Sequence, residues 1–153
     1  MASFKGKEIY SIDSKGRVNI PVKMRKSIPE DAGNTLVVMR GLDKCIFVYP
    51  LNVWEESQEK KLKDLNQYDE RNRKFIRLML QTCEEVELDK QQRINLPKEL
   101  LKFAGINSQV TILGAVDHIE FWDPETYDAY INDCPESYEI VAAKVMVENS
   151  NSI

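Results

Sequence analysis

The chain has 153 residues, 42% of them hydrophobic and 30% charged, with a formal net charge of −4. A chain of that length buries about 70% of its unfolded surface, enough for a core without metal or disulfide staples. The composition excludes a disordered or fibrous chain, and the longest apolar runs, Leu36–Met39 and Cys45–Tyr49, fall far short of the ~20 residues of a membrane helix.

The opening MASFKGKEIYSIDSKGR is basic and has no apolar stretch of the secretory kind. Residues 12–21, IDSKGRVNIP, contain an Asp-x-x-x-Arg element. The alternating Val18, Asn19 and Ile20 that follow predict a strand with one buried face. Pro21 suits the first position of a helix, where its fixed φ fits and its missing N–H is not needed. Thr35–Arg40 and Cys45–Tyr49 are β-rich runs joined by GLDK, a predicted hairpin. Leu51–Leu65 and Asp69–Cys83 are helical in pattern. Phe75, Ile76, Met79, Leu80 and Cys83 form an apolar stripe on the second, opposite a charged face. Residues 97–105, PKELLKFAG, predict a short helix with Leu100, Leu101 and Ala104 inward and Gly105 as its stop. Val110–Leu113 and His118–Trp122, joined by GAVD, predict a second hairpin. The terminal ENSNSI is expected to fray.

The two halves of this plan are copies. LDKQQRINLP (88–97) restates IDSKGRVNIP, with Asp13/Asp89, Arg17/Arg93, Asn19/Asn95 and Pro21/Pro97 identical at an offset of 76. RGLDKCIFVYP (40–50) parallels LGAVDHIEFWD (113–123) at an offset of 73. Each half therefore reads strand, turn, strand, short helix, hairpin. The expected organisation is a first half at 1–54, a helical connector at 55–83, a second half at 84–130 and an acidic tail at 131–153. Neither half has enough core to stand alone comfortably.

The repeated Asp-x-x-x-Arg is the element with chemistry in it. Gly16 permits a sharp turn, and Asp13 can accept from backbone N–H groups further on or pair with Arg17. A loop held this way presents Lys15, Arg17 and backbone N–H groups outward. These suit phosphate or a guanine edge, because guanidinium is a fixed bidentate donor. The charge runs along the chain, from +5 over residues 1–29 through −1 over 30–114 to −8 over 115–153. Lys5, Lys7, Lys15, Arg17, Lys23, Arg25 and Lys26 supply the basic end. Lys23, Arg25 and Lys26 also fit the solvent-facing side of the short helix. An acidic protein of this kind can still bind DNA when many copies each add a few phosphate contacts.

Other chemistry is not expected. Cys45, Cys83 and Cys134 are an odd number without C-x-x-C spacing, so they are expected as buried thiols in a reducing cytoplasm rather than a disulfide or zinc set. His118 stands alone, and Trp54 and Trp122 are expected in the core or between subunits. There is no nucleophile motif, phosphate-cradling glycine loop or paired catalytic carboxylate. No enzyme activity, cofactor, metal or small-molecule substrate is anticipated.

Phe4-x-Gly6, IDSKGRVNIP, LDKQQRINLP, the RNRKFIRLML segment and the closing IEFW together resemble the MraZ family, a tandem of SpoVT/AbrB-type DNA-binding halves, over residues 4–130. The resemblance implies an α+β fold: two repeated swapped-hairpin β units forming a barrel-like core, linked by a helical hairpin. It implies a cytoplasmic, nucleoid-associated transcriptional regulator that binds direct repeats in double-stranded DNA upstream of the division and cell-wall gene cluster, as a ring of identical subunits. Its DNA-binding loops fall on Asp13–Arg17 and Asp89–Arg93, so Lys15 and Arg17, with Lys5, Lys7 and Arg25, and Lys90 and Arg93 in the second copy, are the candidate contacts. Asp13, Gly16 and Asp89 are the loop-structuring residues. The second loop departs from the family pattern, because Gln92 stands where glycine is usual. The expectation is that the first loop binds DNA and the second supports fold or assembly. The alternatives are a ring-forming module that binds an acidic protein, or an antitoxin-like AbrB relative using the acidic C-terminal segment as a partner-binding tail.

Overall fold

The computed structural model describes residues 3–150. The first half runs β1 (Lys7–Ser11), β2 (Arg17–Asn19), α1 (Val22–Arg25), β3 (Thr35–Arg40) and β4 (Ile46–Pro50). The second repeats it as β5 (Glu84–Glu87), β6 (Arg93–Asn95), α5 (Lys98–Ala104), β7 (Gln109–Gly114) and β8 (Ile119–Trp122). Between them a continuous helical stretch is built from α2 (Leu51–Trp54), a π-helical segment (Glu55–Glu59) and α3 (Lys60–Lys63), followed by α4 (Glu70–Leu80). Asp69 caps α4, its carboxylate accepting from the N–H groups of Arg71 and Asn72, which satisfies two of the donors a helix start leaves open. Pro21 and Pro97 sit one position earlier than expected. Each is the extended residue just before its helix, with ψ of 141° and 140°. Gly105 closes α5 in the left-handed conformation at φ 70°, as its position after Ala104 predicts.

The halves are interleaved. The larger sheet has the order β1-β7-β8-β4-β3-β5. Strand β1 of the first half pairs with β7 of the second, from Lys7↔Leu113 to Ser11↔Gln109. Strand β5 of the second half pairs with β3 of the first, from Thr35↔Glu87 to Val38↔Glu84. The two hairpins meet along β4 and β8, with Ile46 opposite Phe121 and Val48 opposite Ile119. All these pairings are antiparallel, and β1 and β5 form the ends of the order. Strands β2 and β6 leave this sheet and pair only with each other, Val18 opposite Ile94. Each half's strand–turn–strand is therefore not a hairpin: its two strands go to different sheets.

One core results. Val18, Ile20, Met24, Val38, Ile46 and Val48 from the first half lie in the same buried cluster as Ile94, Leu96, Leu100, Val110, Ile112, Ile119 and Phe121 from the second. Truncating such a side chain to alanine typically costs ~2–5 kcal/mol, and the loss would fall on both halves because they share the interior.

The periphery departs from expectation in three places. The α4 stripe is only partly covered: Ile76, Met79 and Cys83 are half-buried, whereas Phe75 and Leu80 are exposed, as is Leu78 beside them. Cys134 is exposed, whereas Cys45 is buried and Cys83 half-buried. Burial pushes the Cys45 thiol up to about 12, which leaves it protonated and inert. Beyond α6 (Pro124–Asn132), helix α7 (Tyr138–Ser150) reaches into the segment expected to fray, and the last three residues lie outside those described. No helix among the described residues is long and apolar enough to cross a membrane.

Candidate nucleic-acid interface

Each Asp-x-x-x-Arg loop is a closed hydrogen-bonded knuckle. In the first, Asp13 Oδ1 accepts from the N–H groups of Lys15 at 3.0 Å and Arg17 at 2.9 Å, and Asp13 Oδ2 accepts from Arg17 Nε at 2.7 Å. Backbone bonds from Asp13 N to Arg17 O and from Gly16 N to Asp13 O complete the turn. The second loop repeats every contact. Asp89 Oδ1 accepts from Gln91 N at 2.8 Å and Arg93 N at 3.0 Å, and Oδ2 accepts from Arg93 Nε at 2.9 Å. The Arg17 N–H bond, ahead of its other contacts, holds the Asp13 carboxyl below its ordinary range, and the Arg93 N–H does the same for Asp89. Both carboxylates are therefore charged near neutral pH. Each holds its arginine by Nε alone, so the two Nη groups stay free to donate.

Gln92 does not change the turn. It takes φ of 63°, in the same left-handed region as Gly16 at 82°. The two positions differ in what lies above them. A Cβ on Gly16 would stand 2.9 Å from the Leu96 carbonyl oxygen and 3.2 Å from Leu101 Cδ1, so a side chain has no room there. Position 25 is equivalent to position 101 in the repeat, and Arg25 accordingly lines a small cavity with Gln92, Leu88 and Asn34. Arg25 Nε is buried with no hydrogen-bond partner among the described residues.

The loops are brought together by the β2–β6 ribbon. Leu96 N donates to Gly16 O at 2.8 Å and Ile20 N donates to Gln92 O at 3.1 Å, so each knuckle is bonded to the strand leaving the other. Asn19 Nδ2 adds a bond to Gln91 O at 2.9 Å. Arg17 stands opposite Asn95, and Asn19 opposite Arg93. Side chains alternate along a strand. Since Val18 and Ile94 are buried at 1% exposure each, the four polar residues share the outer face. Arg17 and Arg93 side chains keep 35% and 24% exposure. Lys15 and Lys90 are exposed at the loop tips.

The remaining candidates are placed elsewhere. Arg25 belongs beside the second loop although it comes from the first half, which a charge count along the sequence cannot reveal. Lys7 begins β1 and lies 5.7 Å over the Tyr127 ring; at ~3.3 Å per strand residue it starts roughly 20 Å before Asp13. Lys5 precedes it and is exposed. Neither joins the ribbon. Asn19 and Asn95 do join it. Their signal was in the sequence, as identical residues at the repeat offset, but only the strand pairing shows that they flank the arginines.

His118 forms a separate cluster. Its ring packs against both Phe47 and Tyr49, with centroids 4.4 and 5.0 Å away, and its nitrogens bond Asp117 at 2.9 Å and Glu120 at 3.1 Å. Burial alone would lower its pKa, but the bonds to Glu120 and Asp117 outweigh burial and raise it. Trp122 is buried, and its Nε1 donates to Glu120 Oε1 at 3.0 Å. Trp54 is half-buried, and its Nε1 has no hydrogen-bond partner among the described residues.

A family model described as "MraZ protein, putative antitoxin-like" matches residues 3–77 and 79–147. The match falls in two tandem segments, as the repeated knuckles and interleaved strands do, and the family is regulator-like and non-enzymatic in character. With nearly the whole length covered, the chain belongs to the MraZ family.

Proposed function

We propose that this protein is a sequence-specific DNA-binding transcriptional regulator that reads direct repeats in a promoter region through the β2–β6 ribbon, with several copies assembled into a ring. The observation that carries the reading is the ribbon's outer face, where Arg17, Asn19, Arg93 and Asn95 stand together, the arginines fixed by Asp13 and Asp89. A two-stranded ribbon fits the major groove of B-DNA. There arginine pairs with guanine O6 and N7, and asparagine with adenine N6 and N7. Lys15 and Lys90 at the tips are placed for phosphates, which set register without reading sequence.

The equal geometry of the two knuckles supports equal roles for them, in place of a first loop that binds and a second that only supports. Arg25 adds positive charge beside the second loop and offsets its acidic sequence neighbourhood. Lys5 and Lys7 are left as contributors to the general field. Several copies on tandem repeats would multiply a modest footprint.

Measuring affinity for the DNA upstream of the protein's own gene, with Arg17→Glu and Arg93→Glu made separately, tests this. Losing one good base-reading arginine costs ~1–3 kcal/mol, or about 5- to 150-fold. Comparable losses for both variants, with circular dichroism unchanged, support two-loop readout. No loss from either variant, or equal affinity for scrambled DNA, would leave the protein-interaction reading in its place.

A further inference from the structure

The larger sheet ends in two edges, β1 and β5. Along an antiparallel strand every second residue turns its N–H and C=O toward the partner, and the others turn away. Gly114 N donates to Gly6 O and Ile12 N to Ser108 O, so by register Glu8 and Tyr10 face β7. The backbone groups of Lys7, Ile9 and Ser11 therefore point out of the sheet. Leu88 N donates to Asn34 O, so Val86 faces β3, and Glu85 and Glu87 are the outward residues of β5. All five outward residues are exposed. An edge of this kind is a row of unpaired donors and acceptors, a template for another strand.

The side chains of these residues share one face. Ile9 lies opposite Thr111 and Glu85 opposite Val37, whereas the core takes Val110, Ile112, Leu36 and Val38 from the other face. On the face away from the core, β1 carries Lys7, with exposed Lys5 two residues before it, and β5 carries Glu85 and Glu87. Strand direction alternates across the sheet, so β1 and β5, at opposite ends of six strands, run opposite ways. A second copy laid alongside in the same orientation thus brings its β5 antiparallel to β1, with the core faces on one side. The register that sets Lys7 opposite Glu87 sets Ile9 opposite Glu85, Glu8 opposite Val86 and Tyr10 opposite Glu84. Lys5 then lies diagonal to Glu87, within reach of a long side chain, and no acid stands directly opposite another. Pairing β5 with β5 about Val86 would instead set Glu85 against Glu87 twice, which like charges disfavour. Pairing β1 with β1 about Ile9 would leave Lys7 opposite Ser11, without an acid.

We propose that β1 of one copy pairs with β5 of the next, continuing the sheet from copy to copy. Every copy offers one basic and one acidic edge. The contact is head-to-tail, and such contacts propagate until they close. This rests on the self-association in the proposed function and supplies its contact. Multimers that survive loss of either edge would sink the contact alone, whereas a monomeric wild type would sink the self-association with it.

Two variants break the contact from opposite sides. Ile9→Pro and Glu85→Pro each remove one outward N–H and no bond within the sheet, the position at which an edge strand tolerates proline. Native mass spectrometry without DNA should show wild-type protein as multimers and each proline variant as a single chain with the wild-type far-UV spectrum. Mixing the two should yield a one-to-one pair and nothing larger, since Ile9→Pro keeps the β5 edge and Glu85→Pro keeps the β1 edge. Lys7→Glu and Glu87→Lys change only exposed side chains; each should shift the mass toward the single chain, and both in one chain should restore the multimer. Should a proline variant lose its spectrum, this charge exchange decides alone. A monomeric wild type, folded proline variants that keep the wild-type mass, a mixture that forms no pair, or a charge exchange that restores nothing would each overturn the proposal. Self-association of the Glu85→Pro chain alone would also overturn it, since that is the outcome of β1 pairing with β1.

Discussion

Replacing Gly16 with alanine tests whether the first knuckle is locked in the conformation described. Gly16 has φ of 82°, and its added Cβ would lie 2.9 Å from the Leu96 carbonyl oxygen. The left-handed conformation costs a non-glycine residue ~1–2 kcal/mol. The displaced Leu96 carbonyl also puts the Leu96 N to Gly16 O bond at risk, a further ~0.5–1.5 kcal/mol. Reduced freedom of the unfolded chain returns ~0.4–1 kcal/mol, so the net loss is about 2 kcal/mol. For a chain of this length that lowers Tm by about 4–8 °C. Gln92→Ala is the matched control, because position 92 already holds a side chain in the left-handed region and has an open cavity above it; its effect should stay within ~0.5 kcal/mol. Urea melts at neutral pH read both. A Gly16→Ala variant as stable as wild type would refute the close approach between the loops. Equal losses at the two positions would refute the asymmetry between them.

Other outcomes follow from the same geometry. Asp13→Asn removes the carboxylate that holds Arg17 Nε but leaves the guanidinium in place, so DNA affinity should fall less than for Arg17→Glu in the same titration. Val116 is a β-branched residue at φ 70°, and its contacts with Phe4 are backbone bonds. Val116→Asn should therefore keep the bridge and raise stability by ~0.5–1 kcal/mol in a urea melt, since asparagine tolerates that region. His118 has a folded pKa raised above the ordinary 6.5, so the native state holds the proton more tightly than the unfolded chain. That stabilisation is complete below pH 6.5 and is lost as pH rises through the folded value. Stability measured from pH 6 to 9 should decline in wild type and flatten in His118→Gln; an unchanged slope would remove His118 as its source.

Much of the fold was legible because its signals are local. Alternation in Val18-Asn19-Ile20 and Ile94-Asn95-Leu96 marks strands with one buried face, Gly105 marks the end of α5, and each hairpin is bounded by turn residues. The exchange of β1 and β5 between halves was not legible in the same way. The near-continuous apolar runs of β3 and β7 suit a buried strand whichever neighbour they take, and only the three-dimensional arrangement of the shared core selects their pairing with β5 and β1. The apolar stripe of α4 misled for a related reason. Periodicity shows which face of a helix is apolar, not whether the same chain covers it, and Phe75 and Leu78 are left open.

At the candidate interface, the repeat pointed to the chemistry, whereas pairing between its copies shows which of those residues share a face. Taken one loop at a time, Gln92 argues that the second copy has lost its turn, and the acidic neighbours of Arg93 argue that it has lost its charge. Across the ribbon, Gln92 keeps the left-handed turn that Gly16 has, and a basic residue lies beside it. The residue above each knuckle comes from the other half: Leu101 closes over Gly16, and Arg25 borders Gln92. The glycine is demanded by the bulk of Leu101 and the nearness of the Leu96 carbonyl. Arg25 stands in the place of Leu101, and it lines a cavity with Gln92 where Leu101 packs over Gly16. The two positions are therefore expected to act on each other. Combining Gln92→Gly with Arg25→Leu should be less destabilising than the sum of the single variants, because together they rebuild the packing of the first knuckle. Residues in contact show coupling of ~0.5–3 kcal/mol in such cycles, and strict additivity in urea melts would show that positions 25 and 92 do not act on each other.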